Sequence, residues 1–122
     1  MTDATFYWLP NCSTCIKAKN HIERHGLRDF ALRDIKEDPL SRQEVEQLAR
    51  LVGGAGELFS RRAVKYREMK LNERELSEPE MLDLMAQEYT FLKRPVLVYE
   101  GKAIAGFFEK FWNRFLEENF YK

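Results

Sequence analysis

ATFYWLPNCSTCIKAKNHIERHGLRDFALRDI, residues 4–35, decides the fold. Its apolar opening, Ala4 to Leu9, stops at Pro10, the pattern of a short buried strand closed by a residue that cannot continue a ladder. Pro10, Asn11 and Cys12 supply a turn, and Asn11 is of the type that caps a following helix. From Ser13 to about His25, Cys15, Ile16, Ala18, Lys19 and Ile22 recur at helical spacing, and His25-Gly26 ends the segment on a C-cap glycine. Arg28–Ile35 places Phe30, Leu32 and Ile35 in a second strand. Strand, helix and strand in about thirty residues make a βαβ unit, which predicts two parallel strands joined by a right-handed crossover.

Outward from this unit, DPLSRQEVEQLARLVGG (38–54) carries a Ser41/Glu44 capping-box pattern and closes on paired glycines, so it is predicted to be a helix. GELFSRRAVKYREM (56–69) is mixed; Tyr66 and Met69 are expected to pack and the arginines are not. Ser77 opens another helix, with Met81, Leu82, Leu84 and Met85 on its apolar face. RPVLVYEGKAIAGF (94–107) reads as a hairpin, in which Val96–Val98 form a buried strand, Glu100-Gly101 turns, and Lys102–Ala105 return. FFEKFWNRFLEENF (107–120) spaces Phe108, Phe111, Trp112, Phe115 and Leu116 as an amphipathic helix packed on its own sheet. The expected class is α/β: a four-stranded mixed sheet, parallel βαβ plus C-terminal hairpin, with helices packed on it. One domain is expected over 1–122, its core about 1–37 and 91–122 and its helical insertion about 38–90.

Composition narrows the function. Twenty Lys and Arg balance twenty Asp and Glu, which argues against direct DNA binding or adsorption to a membrane surface. No apolar run has transmembrane length, and MTDATFYW lacks the form of a signal peptide, so a cytoplasmic location is expected. There a close cysteine pair is more often catalytic or metal-binding than a structural clamp. The chain has 2 cysteines, and both stand at the front of the predicted helix. A thiol attacks as its thiolate. Cys12 lies where unpaired N–H groups and the positive helix end favour an anion, which predicts a lowered pKa for it. Cys15, one turn further in and more buried, can close a disulfide with Cys12 once that sulfur is oxidised. CxxC at the front of a βαβ unit is the thioredoxin-like redox signature. Other readings compete: both cysteines as small core residues, or a zinc site completed by His21 and His25. Zinc is disfavoured because only five residues separate Cys15 from His21 and both histidines lie whole turns away along one helix. The histidines are read as decorating a solvated helix face and, for His25, its C-terminal end.

Pro95, just before Val96, stands where thioredoxin-like folds carry a cis-proline that presents its backbone to substrate. FYWLPNCSTCIKAKNHIE, GELFSRRAVKYREM and KRPVLVYEGKAIAGF, in this order, resemble the arsenate-reductase-like (ArsC/Spx) family of thioredoxin folds. The resemblance implies that Cys12 is the nucleophile, Cys15 the resolving thiol, and Arg94 the cation that favours the thiolate and holds an oxyanion or a glutathione carboxylate. Asn11 and Ser13, which flank Cys12, together with Arg62 and Pro95, are the expected substrate contacts. Ser60 falls where arsenate reductases proper carry an arginine, and the stretch after the hairpin has no arginine before Arg114, so arsenate binding lacks part of its usual charge. The implied function is a thiol-dependent oxidoreductase acting on a disulfide, a glutathione adduct or an oxyanion. No bound cofactor and no metal are expected; glutathione or another dithiol is the implied reductant, with glutaredoxin or thioredoxin as protein partner, on a monomer. The alternatives are an Spx-like redox regulator that binds RNA polymerase, and an arsenate reductase proper.

Overall fold

In the computed structural model the structure describes residues 3–121; Met1, Thr2 and Lys122, at the ends of the expected domain, lie outside it. The chain divides into two compact units, residues 1–38 with 94–122, and residues 39–93.

The first unit is a four-stranded sheet. Strands β1 (Ala4–Trp8), β2 (Ala31–Asp34), β3 (Val96–Tyr99) and β4 (Lys102–Ala105) lie in the order β2-β1-β3-β4. β1 pairs in parallel with β2 and antiparallel with β3, and β3 pairs antiparallel with β4. The expected mixed sheet is therefore present, with its βαβ unit and its hairpin. Helices α1 (Ser13–Arg24) and α6 (Glu109–Asn119; α2 to α5 belong to the second unit) pack on one face of the sheet. There Ala18, Ile22, Trp112 and Leu116 close over Ala4, Phe6, Leu97 and Tyr99. Trp112 is the centre of this core: its ring meets Phe6 and Phe107 edge-on, and its Nε1–H donates to the Gly106 carbonyl at 2.7 Å. An indole can be buried at such a site because its one donor finds a partner.

The edges of the elements differ from the periodicity in places with physical causes. β2 is four residues long rather than eight, since Phe30 leaves the ladder to pack against Phe6. Leu32 is 48% exposed; β2 is an edge strand, where one side of the face is open. Phe108 and Phe111 are exposed while Trp112 and Leu116 are buried, so the aromatic helix turns only part of its apolar surface inward. His21 corrects the expectation of a solvated face: it is 3% exposed. Its Nε2–H donates to Asn113 Oδ1 at 2.8 Å, its ring meets Phe107 edge-on, and it lies against the tilted ring of His25 with centroids 4.5 Å apart. His25, at the C-cap of α1, bonds through Nδ1 to the Tyr121 hydroxyl at 2.6 Å. That hydroxyl spends its proton on the His25 carbonyl at 2.9 Å, so Nδ1 is the donor in the shorter bond. These contacts fasten the end of α1 to α6.

The second unit holds α2 (Arg42–Val52), α3 (Ala55–Leu58), α4 (Val64–Glu68) and α5 (Glu78–Gln87). Ser41/Glu44 and Ser77/Glu80 both form reciprocal capping boxes, and Gly53 ends α2 in the left-handed region at φ 105°. Val45, Leu48, Leu58, Met81 and Met85 are buried between these helices, beside a stacked Phe59–Phe91 pair. Met69 does not pack as expected and is 50% exposed; α4 is too short to shelter it and buries no residue of its own.

Two outcomes test the packing. Trp112→Ala is expected to lower the stability of unfolding by about 3–5 kcal/mol, read by urea denaturation, from lost contacts and an unfilled cavity. In the β3–β4 turn both central residues have positive φ, 45° at Glu100 and 82° at Gly101, so Glu100→Asn should raise the same midpoint, by on the order of 1 kcal/mol.

Candidate functional site

The site is built where β1 hands the chain to α1. The Cys12 N–H donates to the Leu9 carbonyl at 3.1 Å, closing the turn through Pro10. Cys12 itself, not Asn11, is the N-cap of α1: its backbone is extended (φ −95°, ψ 117°), its carbonyl accepts the Ile16 N–H at 3.0 Å, and its Sγ accepts the Cys15 N–H at 3.3 Å. A capping side chain is normally an oxygen that satisfies an orphan N–H of the first turn. A sulfur in that place is held by the same bond, at the positive end of the helix, and gains most from it when it carries negative charge.

Cys12 is half-buried, whereas Cys15 is fully buried at 0% exposure. The Cys15 thiol is pushed up from its ordinary 9.0 to about 12, first by burial and then by its hydrogen bond with the Cys12 side chain; the Leu9 N–H and the Arg94 charge act in the opposite direction. Arg94 stands in the segment ahead of β3, where the Arg94–Pro95 peptide bond is cis. Pro95 is buried, and its carbonyl accepts the Gly106 N–H at 2.8 Å. Gly106 therefore joins the proline loop to Trp112. Asn11 and Ser13 stand exposed on either side of Cys12.

Six of the expected residues, Asn11, Cys12, Ser13, Cys15, Arg94 and Pro95, thus belong to the first unit. Arg62 belongs to the second, exposed in the turn before α4, with its N–H donating to Ser60 Oγ at 3.3 Å. Of its basic neighbours, Lys65 pairs with Glu88 at 2.7 Å and Arg61 lies 5.7 Å over the Phe59 ring. Residues that the sequence did not mark as part of the site are Leu9, whose backbone serves both cysteines, and Gly106; backbone bonds leave no trace in residue type. Among the described residues no three His, Cys, Asp or Glu side chains are placed to hold a metal ion, and no helix is long and apolar enough to cross a membrane.

A half-buried sulfur capping the first helix of a βαβ unit, a buried thiol one turn behind it and an arginine ahead of the third strand define a thioredoxin-like α/β protein with a paired-thiol site. Comparison with known proteins places it more closely. The sequence model of the ArsC family matches residues 7–115, and the chain belongs to that family. It is 37% identical over 115 residues to the uncharacterized protein YusI of Bacillus subtilis (strain 168), covering 88% of this chain and 97% of that one. It is 29% identical over 113 residues to the global transcriptional regulator Spx of the same organism, covering 92% and 86%. A crystal structure from Bacteroides fragilis, described as an ArsC family related protein, superposes with a TM-score of 0.81 at 29% identity, covering 92% of this chain and 96% of that one.

The two thiols are expected to separate in their chemistry. Iodoacetamide at neutral pH should modify Cys12 and leave Cys15 unmodified until denaturant is added, read by mass spectrometry of peptides. Because the folded state holds the Cys15 proton above the pH at which an unfolded chain releases it, stability is complete below about 9 and falls as pH rises toward about 12. The melting temperature of the wild type should therefore drop more steeply over that window than that of Cys15→Ala.

Proposed function

We propose that the protein is a small thiol-disulfide oxidoreductase. The observation that carries this reading is the Cys12 sulfur at the N-cap of α1, half-exposed, with the buried Cys15 thiol directly behind it. The Cys12 thiolate attacks one sulfur of a substrate disulfide or glutathione adduct; a new S–S bond forms, the old one breaks, and the departing thiolate takes a proton from solvent. Cys15 gives up its proton and attacks Cys12 Sγ, which releases the second substrate thiolate and leaves a Cys12–Cys15 disulfide. The substrate gains two electrons and the cysteine pair loses them. An external dithiol, or two glutathione molecules, restores the pair, directly or through glutaredoxin or thioredoxin.

In this reading Arg94 balances the charge on the sulfurs, Pro95 holds the segment that carries it through the bond its carbonyl accepts from the Gly106 N–H, and Asn11 and Ser13 border the approach to Cys12. The protein acts as a monomer in the cytoplasm, where such reductants are held. Cys12→Ser is a clean test, because serine caps a helix well and keeps the start of α1 while removing the nucleophile. Reduction of a glutathione mixed disulfide, followed with glutathione, glutathione reductase and NADPH, should fall to background in Cys12→Ser; full activity there would sink the proposal. Arg62→Gln in the same assay examines the cation expected on the helical unit.

The likeness to Spx over most of the chain favours a second reading, in which the cysteine pair is a switch and the output is a contact with RNA polymerase. Co-purification with RNA polymerase in one redox state, together with no disulfide turnover, would select it. Arsenate reduction is the third reading. It requires arsenate-dependent consumption of thiol that falls in Arg94→Ala, and equality with background would dismiss it.

A further inference from the structure

Two half-exposed aliphatic side chains stand on the flank of the first unit away from α6, and the thiol chemistry uses neither. α6, with Tyr121 just beyond it, meets α1 through His21 and His25. Ile16 lies on the opposite flank of α1, since five and nine residues of helix turn it about 140° and about 180° from those histidines. It is 43% exposed. It also stands one turn beyond Cys12, whose carbonyl accepts its N–H at 3.0 Å, so the two side chains are neighbours on one face. On the same side of the unit the sheet ends at β2, the edge opposite β4, which α6 contacts. Leu32, paired with Phe6, points to the helix-bearing face and is 48% exposed. Half-buried Trp8 and Phe30 pack on that same Phe6, with ring centroids 6.1 and 5.9 Å from it. The Ile35 N–H turns inward to the Trp8 carbonyl at 3.1 Å, so alternation along the strand turns the Leu32 N–H and C=O outward, to the open edge. The charges here are already engaged. Lys19 and Glu23, on the Ile16 flank, pair at 3.2 Å, and the Asp34 carboxylate accepts the Lys36 and Glu37 N–H groups at 3.0 and 3.2 Å.

Resting on the thiol-exchange reading, we propose that the substrate sulfur belongs to a cysteine within a polypeptide, in an extended segment with apolar residues beside it, and that Ile16 and Leu32 receive those residues. What covers this surface is set by the covalent step. The Cys12 thiolate attacks the polypeptide's sulfur, the S–S bond to its former partner breaks, and that partner, glutathione or another thiol, leaves as a thiolate and takes a proton from solvent. The new S–S bond is about 2 Å long and each residue of an extended chain spans about 3.3 Å, so one or two residues from the substrate cysteine suffice to reach Ile16. Apolar side chains there remove Ile16 and Leu32 from water, and an extended backbone offers partners to the open N–H and C=O of Leu32. Glutathione as the attached group fits less well. It brings two carboxylates to a flank where the lysine is committed to Glu23 and Asp34 is itself negative.

Three mixed disulfides of 2-nitro-5-thiobenzoate test this with the full-length protein. Their other halves are glutathione, the acetylated and amidated peptide Ser-Val-Leu-Cys-Leu-Val-Ser, and its polar counterpart Ser-Thr-Gln-Cys-Gln-Thr-Ser. Attack by Cys12 on the peptide or glutathione sulfur releases one coloured thiolate, so stopped-flow absorbance gives the rate of the first step. Each rate is divided by that of mercaptoethanol with the same disulfide, which removes intrinsic reactivity. The wild type should react with the apolar peptide about tenfold faster than with either of the others. In Ile16→Gln and in Leu32→Thr that rate should fall about fivefold, with the other two rates unchanged. Both replacements are uncharged, suit a helix and a strand respectively, and fall at side chains already half in water, so the fold is kept. Ile16→Leu, which keeps the apolar surface, should retain the wild-type preference. Equal rates for the three disulfides, or a preference that survives in Ile16→Gln and Leu32→Thr, overturns this proposal and leaves thiol exchange standing. Release no faster in the wild type than in Cys12→Ser, with any of the three, removes the thiol-exchange reading and this proposal with it.

Discussion

Everything at the site depends on a sulfur acting as a helix cap. The Cys15 N–H points at Cys12 Sγ because α1 begins there and its first-turn donors have nowhere else to go. The bond fixes the χ angle of Cys12, sets the distance between the two cysteines, and brings the positive end of the helix to the outer sulfur in one stroke. A cap made by Asn11, one residue earlier, would have started the helix elsewhere and turned Cys12 into an ordinary first-turn side chain. The CxxC spacing works because residues three apart at a helix start put the second residue's amide, and not only its side chain, against the first.

A cap holds a functional sulfur well only if the helix does not move, and α1 is secured at both ends. At its start the Cys12 N–H closes on Leu9, a residue fixed by the end of β1. At its finish His21 and His25 engage Asn113 and Tyr121, and Gly26 lies against the Phe120 ring. Between the ends, Ala18 and Ile22 lie in the core formed with Trp112. Trp112 also fixes Gly106 through its carbonyl while the Gly106 N–H holds the Pro95 carbonyl. The cysteine turn and the arginine-proline segment are thus positioned from one core.

Much of this was legible in the sequence, and the exceptions have a common cause. Strand and helix types, the Ser41/Glu44 box, the Glu100-Gly101 turn and the hairpin limits followed from periodicity and turn chemistry, which are local. Asn11 and Cys12 stand in the same turn, and only the backbone angles show which of them is the cap. Histidine is usually polar surface, so residue type alone puts His21 on a wet face. The stripe of Cys15, Ala18 and Ile22 nevertheless includes position 21 at helical spacing, which was the available signal. Its partner Asn113 lies ninety-two positions away, beyond any local pattern. Leu32 and Met69 looked like core because apolar residues do so wherever strand order and helix length are unknown. Leu9 and Gly106 contribute through backbone atoms, which composition does not report.

The charge at the site also bears on what it can accept. Arg94 supplies a cation that is felt at Cys15. A doubly charged oxyanion brought against a half-buried thiolate adds repulsion that one guanidinium does not offset, since the desolvation of each charge grows with burial. A disulfide is neutral on arrival. Its charge develops only on the leaving sulfur and passes to solvent. A single fixed cation therefore suits exchange between sulfurs better than capture of a polyanion.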